Sequence, residues 1–127
     1  MLTNVKNFAS PKTLSIFASL KFKTDNIMKN PIEKFRVRNC DSLVNPYDTV
    51  KNQFVITVRT KKGRKEIFQS YDTVIAVVDE RGQVWLDKNS WCCSTTTGKY
   101  RNQFLGETIK ETREKIKSGE YKLANLN

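Results

Sequence analysis

The hydrophobic and polar positions change their period along the chain. From Gln53 to Thr60, Phe54, Ile56 and Val58 alternate with Val55, Thr57 and Arg59, the period of two that marks a half-buried β-strand. Lys61-Lys62-Gly63-Arg64 follows as a hairpin tip, with Gly63 able to take positive φ, and Lys65 to Tyr71 returns through Ile67 and Phe68. Val74-Ile75-Ala76-Val77-Val78 is apolar throughout, as a strand covered on both faces would be. Asp79-Glu80-Arg81-Gly82 makes the next turn, and Val84, Trp85 and Leu86 belong to the strand after it. Upstream, Lys34 to Cys40 alternates weakly through Phe35 and Val37, and Asn45-Pro46-Tyr47-Asp48 reads as a turn.

Beyond Ser94 the period becomes helical. Ser94, Thr95, Thr96 and Thr97 supply hydroxyl caps ahead of a segment with Tyr100 and Phe104 four residues apart. Gly106 interrupts it. Thr108 and Glu111 have the spacing of a capping box, which predicts a second helix through Lys117 with Ile109 and Ile116 toward the sheet. Ser118-Gly119 ends that helix. The predicted fold class is α+β: an antiparallel β-meander of three to five strands, then one or two C-terminal helices packed on one face, with a basic N-terminal extension. Residues 31–127 form the single α+β domain and residues 1–30 the extension. Within the extension Ser10-Pro11 suits a helix start, while Leu14, Ile16, Ala18, Leu20 and Phe22 alternate as in a strand; both readings stay open.

Composition narrows the chemistry. The 127 residues contain 23 Lys plus Arg, 13 Asp plus Glu and no His, a formal charge of +10. No run reaches the roughly 20 apolar residues that span a bilayer, so no membrane role is expected. Without His the commonest general base and the commonest zinc ligand are missing. Cys40, Cys92 and Cys93 lack the spacing of a zinc knuckle and are read as free thiols. Asp72, Asp79, Glu80, Asp87 and Glu107 are scattered over turns and caps, whereas a metal-dependent nuclease needs acids that converge. We therefore expect no enzyme, no catalytic residue, no metal site and no cofactor.

Charge placement then carries the functional reading. Arg59 to Lys65 holds five cations in seven residues, and the first 24 residues contain four lysines and no acid. Such a chain attracts polyanions, either nucleic acid, RNA ahead of DNA, or a nucleoprotein complex. The candidate contacts are Arg59, Lys61, Lys62, Arg64 and Lys65, then Lys99 and Arg101, with Lys21 and Lys23 in an auxiliary arm. Ser94, Thr96, Thr97 and Gly98 form a candidate anion site at the helix start, set against the plain reading of a helix cap. This is no phosphate loop: Cys93 stands where the first glycine belongs, and Tyr100 where Ser or Thr must follow the lysine. Tyr71, Trp85, Trp91, Tyr100 and Phe104 are read as packing residues ahead of a base-stacking platform. Tyr-Asp-Thr-Val occurs at 47–50 and 71–74, and Asn-Gln-Phe at 52–54 and 102–104; these echoes are too short to define a repeat and read as coincidence.

Ser70-Tyr71-Asp72-Thr73, then Trp91, then Ser94-Thr95-Thr96-Thr97-Gly98-Lys99 running to Phe104-Leu105, resembles an uncharacterised family of small phage and mobile-element proteins. The resemblance covers roughly residues 45–110. Where members of that family carry Asp-Tyr after the Trp, this chain has Cys92-Cys93, so no role carries over there. The resemblance implies a phage protein acting in the bacterial host cytoplasm. It also implies, by context, counter-defence such as inhibition of a CRISPR effector. The alternatives are a pure protein–protein inhibitor or structural interaction module and, last, a metal-dependent nuclease.

Overall fold

The structure is a computed structural model that describes residues 32–127. The N-terminal extension, with Lys21 and Lys23 and the choice between helix and strand, lies outside the described residues. Six strands form one sheet in the order of the chain: β1 (Ile32–Asp41), β2 (Thr49–Thr60), β3 (Gly63–Ser70), β4 (Thr73–Val78), β5 (Val84–Asp87) and β6 (Lys122–Ala124). The first five make the expected antiparallel meander. Helices α1 (Thr95–Leu105) and α2 (Ile109–Ser118) follow β5, and the chain then returns to the sheet as β6, parallel to β5. This corrects the expected strand count and the expectation that the helices close the fold. Lys122-Leu123-Ala124 is too short to show any alternation, and only its pairing with Trp85, Leu86 and Asp87 makes it a strand. No helix among the described residues is long and apolar enough to cross a membrane.

Alternation sorts the strands into two faces. Val55, Phe68, Ala76, Val84 and Leu86 share the face that receives the helices, where Tyr100, Phe104, Leu105 and Ile116 meet them. Phe68 is fully buried and stacks on Phe104 with 5.8 Å between ring centroids. Ile56, Val58, Ile67 and Val77 share the opposite face, with Phe35, Val37, Trp85 and, from the C-terminal tail, Leu126. That tail is anchored by the backbone N–H of Leu126 donating to Asp87 Oδ1 (2.9 Å) and by the Asn127 amide, which bonds both the N–H and the C=O of Val74.

The helix ends follow their chemistry. Ser94 caps α1 by accepting from the Thr97 N–H at 3.1 Å, and Thr108 and Glu111 close the expected capping box of α2. Gly106 and Gly119 take the left-handed conformation, φ 69° and 84°, at the two C-termini. Between the helices, Glu107 accepts hydrogen bonds from Lys115 Nζ (2.8 Å), Tyr121 Oη (2.6 Å) and Thr112 Oγ1 (2.5 Å), tying α2 and the start of the return strand to the interhelical turn. Burial opposes the Glu107 charge, but these three donors outweigh it and hold the carboxyl below its usual range. Burial, and then Glu107, pushes the Tyr121 phenol up to about 12.

Two outcomes test this packing. Phe68→Ala should cost about 3–5 kcal/mol, read from urea unfolding midpoints. Because its folded-state pKa is depressed, Glu107 contributes stability that is complete above the ordinary Glu value of about 4.3 and is lost as pH falls through the lower folded value. Glu107→Gln should therefore lower stability at neutral pH and flatten its decline in acid, measured by thermal unfolding across pH 2–7.

Candidate functional site: a cationic face of the sheet

The β2–β3 hairpin turns through Lys61 and Lys62, with Thr60 paired to Gly63, whose φ is +138°. Its base is braced from beneath. Glu80, in the β4–β5 turn, accepts from Thr60 Oγ1 at 3.0 Å and pairs with Lys65 Nζ at 3.2 Å. The Lys65 side chain has no exposed surface. Burial pulls its ammonium pKa down, and the hydrogen bond and charge of Glu80 oppose that. Burial likewise works against the Glu80 carboxylate, but hydrogen bonds from its own backbone N–H, Lys65 and Thr60 hold it below the usual range. Lys65 is thus corrected from a surface contact to a buried brace. The reason is the pleat: Lys65 pairs with Val58 on one face, while Arg64 pairs with Arg59 on the other.

Arg59 and Arg64 are joined by a cation that the charge reading passed over. Lys34 of β1 sits opposite Arg59, so Lys34, Arg59 and Arg64 form one row across three strands. Arg36 opposes Thr57 and Glu66 in the next row, about 7 Å along at two residues of strand rise. Arg38, opposite Val55, continues the same face. These cations occupy the part of the helix-bearing face that the helices leave open. Lys34, Phe35, Arg36, Thr57, Arg59 and Arg64 line a groove of about 250 Å³ there. Arg64 bonds Glu66 at 2.9 Å. Among the described residues, Lys34, Arg36 and Arg59 have no carboxylate partner. The weak alternation of Lys34 to Cys40 held the missing signal, because its polar positions are Lys34, Arg36 and Arg38.

The helix-start candidates lie elsewhere. Thr97 bonds Ser70 at 2.9 Å, and Ser70 is six residues along β3 from Arg64, about 20 Å at strand rise. Lys99 is exposed at that far end, so it does not share a site with the hairpin cations. Thr97 is buried by its bond to Ser70, Ser94 Oγ is taken by the Thr97 N–H, and the Ser94 carbonyl accepts the Gly98 N–H. The group is a helix cap, with Thr96 exposed beside it. Arg101, 1% exposed, is also corrected from a surface contact to a structural residue. It donates to the Trp91 carbonyl at 2.6 Å and to Asn102 Oδ1 at 2.9 Å, and it lies 5.5 Å from the Trp91 ring centroid.

The carboxylates occupy separate networks. Asp79 accepts from the N–H groups of Arg81 and Gln83 and from Trp85 Nε1, Asp87 holds the C-terminal tail, and Glu80 and Glu107 have the partners already given. Cys40 is buried, which pushes its thiol up to about 11, while Cys92 and Cys93 are exposed; all three are free thiols.

Glu80→Gln should remove the carboxylate paired with the buried Lys65 ammonium, with Asp79 still acting on it, and cost about 1–3 kcal/mol, read from urea unfolding midpoints. Lys61→Ala and Lys62→Ala, at exposed positions, should stay within about 0.5 kcal/mol of the parent in the same unfolding measurement.

Compared with known proteins, residues 42–120 match a family described as a family of unknown function (DUF8033). No curated protein and no solved structure matches the chain.

Proposed function

Since the chain belongs to DUF8033, a family of unknown function, we propose from its own surface that it is a non-enzymatic protein that binds nucleic acid or a nucleoprotein complex. The observation that carries this reading is the row Lys34–Arg59–Arg64 with Arg36 beside it. Like charges directly opposite one another weaken a sheet, and a bound polyanion relieves that repulsion. Strand neighbours lie about 4.8 Å apart and successive rows about 7 Å apart, so the face offers a grid of cations to a phosphate backbone. Exposed Lys61 and Lys62 extend it at the hairpin tip. Backbone contacts of this kind position a nucleic acid without reading its sequence. Contact with phosphates alone suits a single strand as well as a duplex, and RNA is proposed ahead of DNA. The phage setting implied by the resemblance of the Ser70–Leu105 stretch gives the binding a use in counter-defence, for example occupying the nucleic-acid channel of an RNA-guided nuclease in the host cytoplasm.

Fluorescence anisotropy with a single-stranded RNA and a DNA duplex, over a range of salt, tests this. Arg59→Glu combined with Arg64→Glu should weaken both, and each lost phosphate contact should lower the salt slope by about 0.7 for the single strand and 0.9 for the duplex. Unchanged affinity and unchanged slope would refute the reading.

A further inference from the structure

We propose that Cys92, in the cavity at the start of α1, is a thiol-modification site that takes a small carboxylate-bearing disulfide, of the glutathione disulfide class, into a mixed disulfide. Cys92 and Cys93 are exposed free thiols in the connection between β5 and α1. With Gly98, Lys99, Arg101 and Ile109 they line a cavity of about 430 Å³, a volume that suits a small molecule. It shares no residue with the cationic groove of the sheet.

Near the thiols the chain carries one sign of charge. From Lys88 to Gly106 there are three cations and no acid. The positive end of α1 meets the cavity, with no acid in its first turn. From α2, Arg113 brings Nη2 to 4.0 Å from Cys92 Sγ. Arg101 is the independent sign that an anion belongs here. Its guanidinium is buried, yet its bonds go to neutral oxygens, the Trp91 carbonyl and Asn102 Oδ1, and its Nε has no partner. Burying a charge without a counter-charge is costly. Burial pulls the Arg101 pKa down; Cys92 opposes that, Arg113 adds to it, and Glu107 and Cys93 oppose it.

The acids around the site are turned away or engaged. Glu107 is held by Thr112, Lys115 and Tyr121. Glu111 is folded back into the capping box, and Glu114 follows Arg113 by one residue, about 100° round the helix. Asp41 meets α1 at Gln103, off the cavity, and Asp72 has its own partner. Among the described residues no carboxylate pairs with Arg101 or Arg113. A ligand that brings carboxylates supplies what is missing.

Exchange needs a thiolate, and an exposed thiol among cations is where one forms. The Cys92 thiolate attacks one sulfur of the small disulfide. A new S–S bond forms, the old one breaks, and its other half leaves as a thiolate that takes up the proton Cys92 gave away. Cys92 is oxidised and the departing sulfur is reduced, so no further oxidant is needed. The mixed disulfide is the end point. Neighbouring Cα atoms across a trans peptide lie about 3.8 Å apart, short of the roughly 4.4–6.8 Å that disulfides span, so Cys93 is badly placed to displace the ligand.

Intact-mass measurement of the full chain with glutathione disulfide tests this. One glutathionyl group should add per folded chain, and peptide mapping should place it on Cys92. Against the uncharged 2-hydroxyethyl disulfide, with each rate divided by that of the urea-unfolded chain, glutathione disulfide should be preferred about tenfold. Lys99→Gln with Arg113→Gln, both at exposed positions, should remove that preference and leave the uncharged reagent within about twofold of its parent rate. Cys93→Ser should react as the parent does, and Cys92→Ser about tenfold more slowly. The proposal is overturned if the folded chain shows no preference, or if the preference survives Lys99→Gln with Arg113→Gln. It is equally overturned if Cys93 takes the modification in the parent, or if the product is a Cys92–Cys93 disulfide with no added mass. The Arg59→Glu, Arg64→Glu double variant should react as the parent does, so this reading and the nucleic-acid reading fail separately.

Discussion

The pleat of the β2–β3 hairpin is the constraint on which the rest of the molecule depends. Successive residues must point to opposite faces. Phe68 and Val55 therefore reach the helices, Ile67 and Ile56 reach the opposite core, and Arg64 and Arg59 emerge together on the helix side. The same rule sends Lys65 inward beside Val58, where an unpaired ammonium would be costly. Glu80 answers that cost from the next turn and, through Thr60, braces the hairpin that carries the surface cations. A buried pair of this kind adds little net stability over an apolar pair of the same shape, but it makes the two turns depend on each other.

Buried polar groups recur wherever two segments must be held in register. Arg101 joins α1 to the Trp91 carbonyl, Glu107 gathers Thr112, Lys115 and Tyr121, and Asp79 closes the β4–β5 turn through two N–H groups and the Trp85 indole. These residues carry the charge that chemistry would use, and each is engaged in holding chain to chain. The exposed side chains are of another kind: among the described residues Lys34, Arg36 and Arg59 have no carboxylate partner at one end, and Tyr47 and Val44 are almost fully exposed at the other. The meander itself separates the two groups. Its odd-numbered and even-numbered connections emerge at opposite ends, so one sheet presents a cationic face and an aromatic end without their overlapping.

Much of the architecture was legible along the chain because its signals are local. Period-two alternation gave β2, an unbroken apolar run gave β4, the turns at Gly63 and Gly82 bounded β3 and β5, Thr108 and Glu111 gave the start of α2, and Gly119 its end, since each of these signals acts within a few residues. Strand β6 left no trace, because three residues cannot express a period. The dense run Arg59 to Lys65 was legible as charge, but not as two sets of charges on opposite faces. Lys34 and Arg36, which complete the cationic row, lie more than twenty residues upstream of Arg59 and join it through strand register alone.

The amino-acid order thus determines which segments are strands and helices, where they cap and turn, and that the chain as a whole is strongly cationic. These properties depend on neighbours within one turn or one pleat. Which cations reach solvent, and which polar groups become braces, depends on pairings such as Lys34 with Arg59, Lys65 with Glu80 and Thr97 with Ser70. The folding of the sheet alone sets these, because burial and register are properties of surfaces that distant residues create when they meet. The twin Tyr-Asp-Thr-Val segments show the same division: their likeness is written in the residues, but their shared placement exists only because β1–β2 and β3–β4 turn at the same end of one sheet.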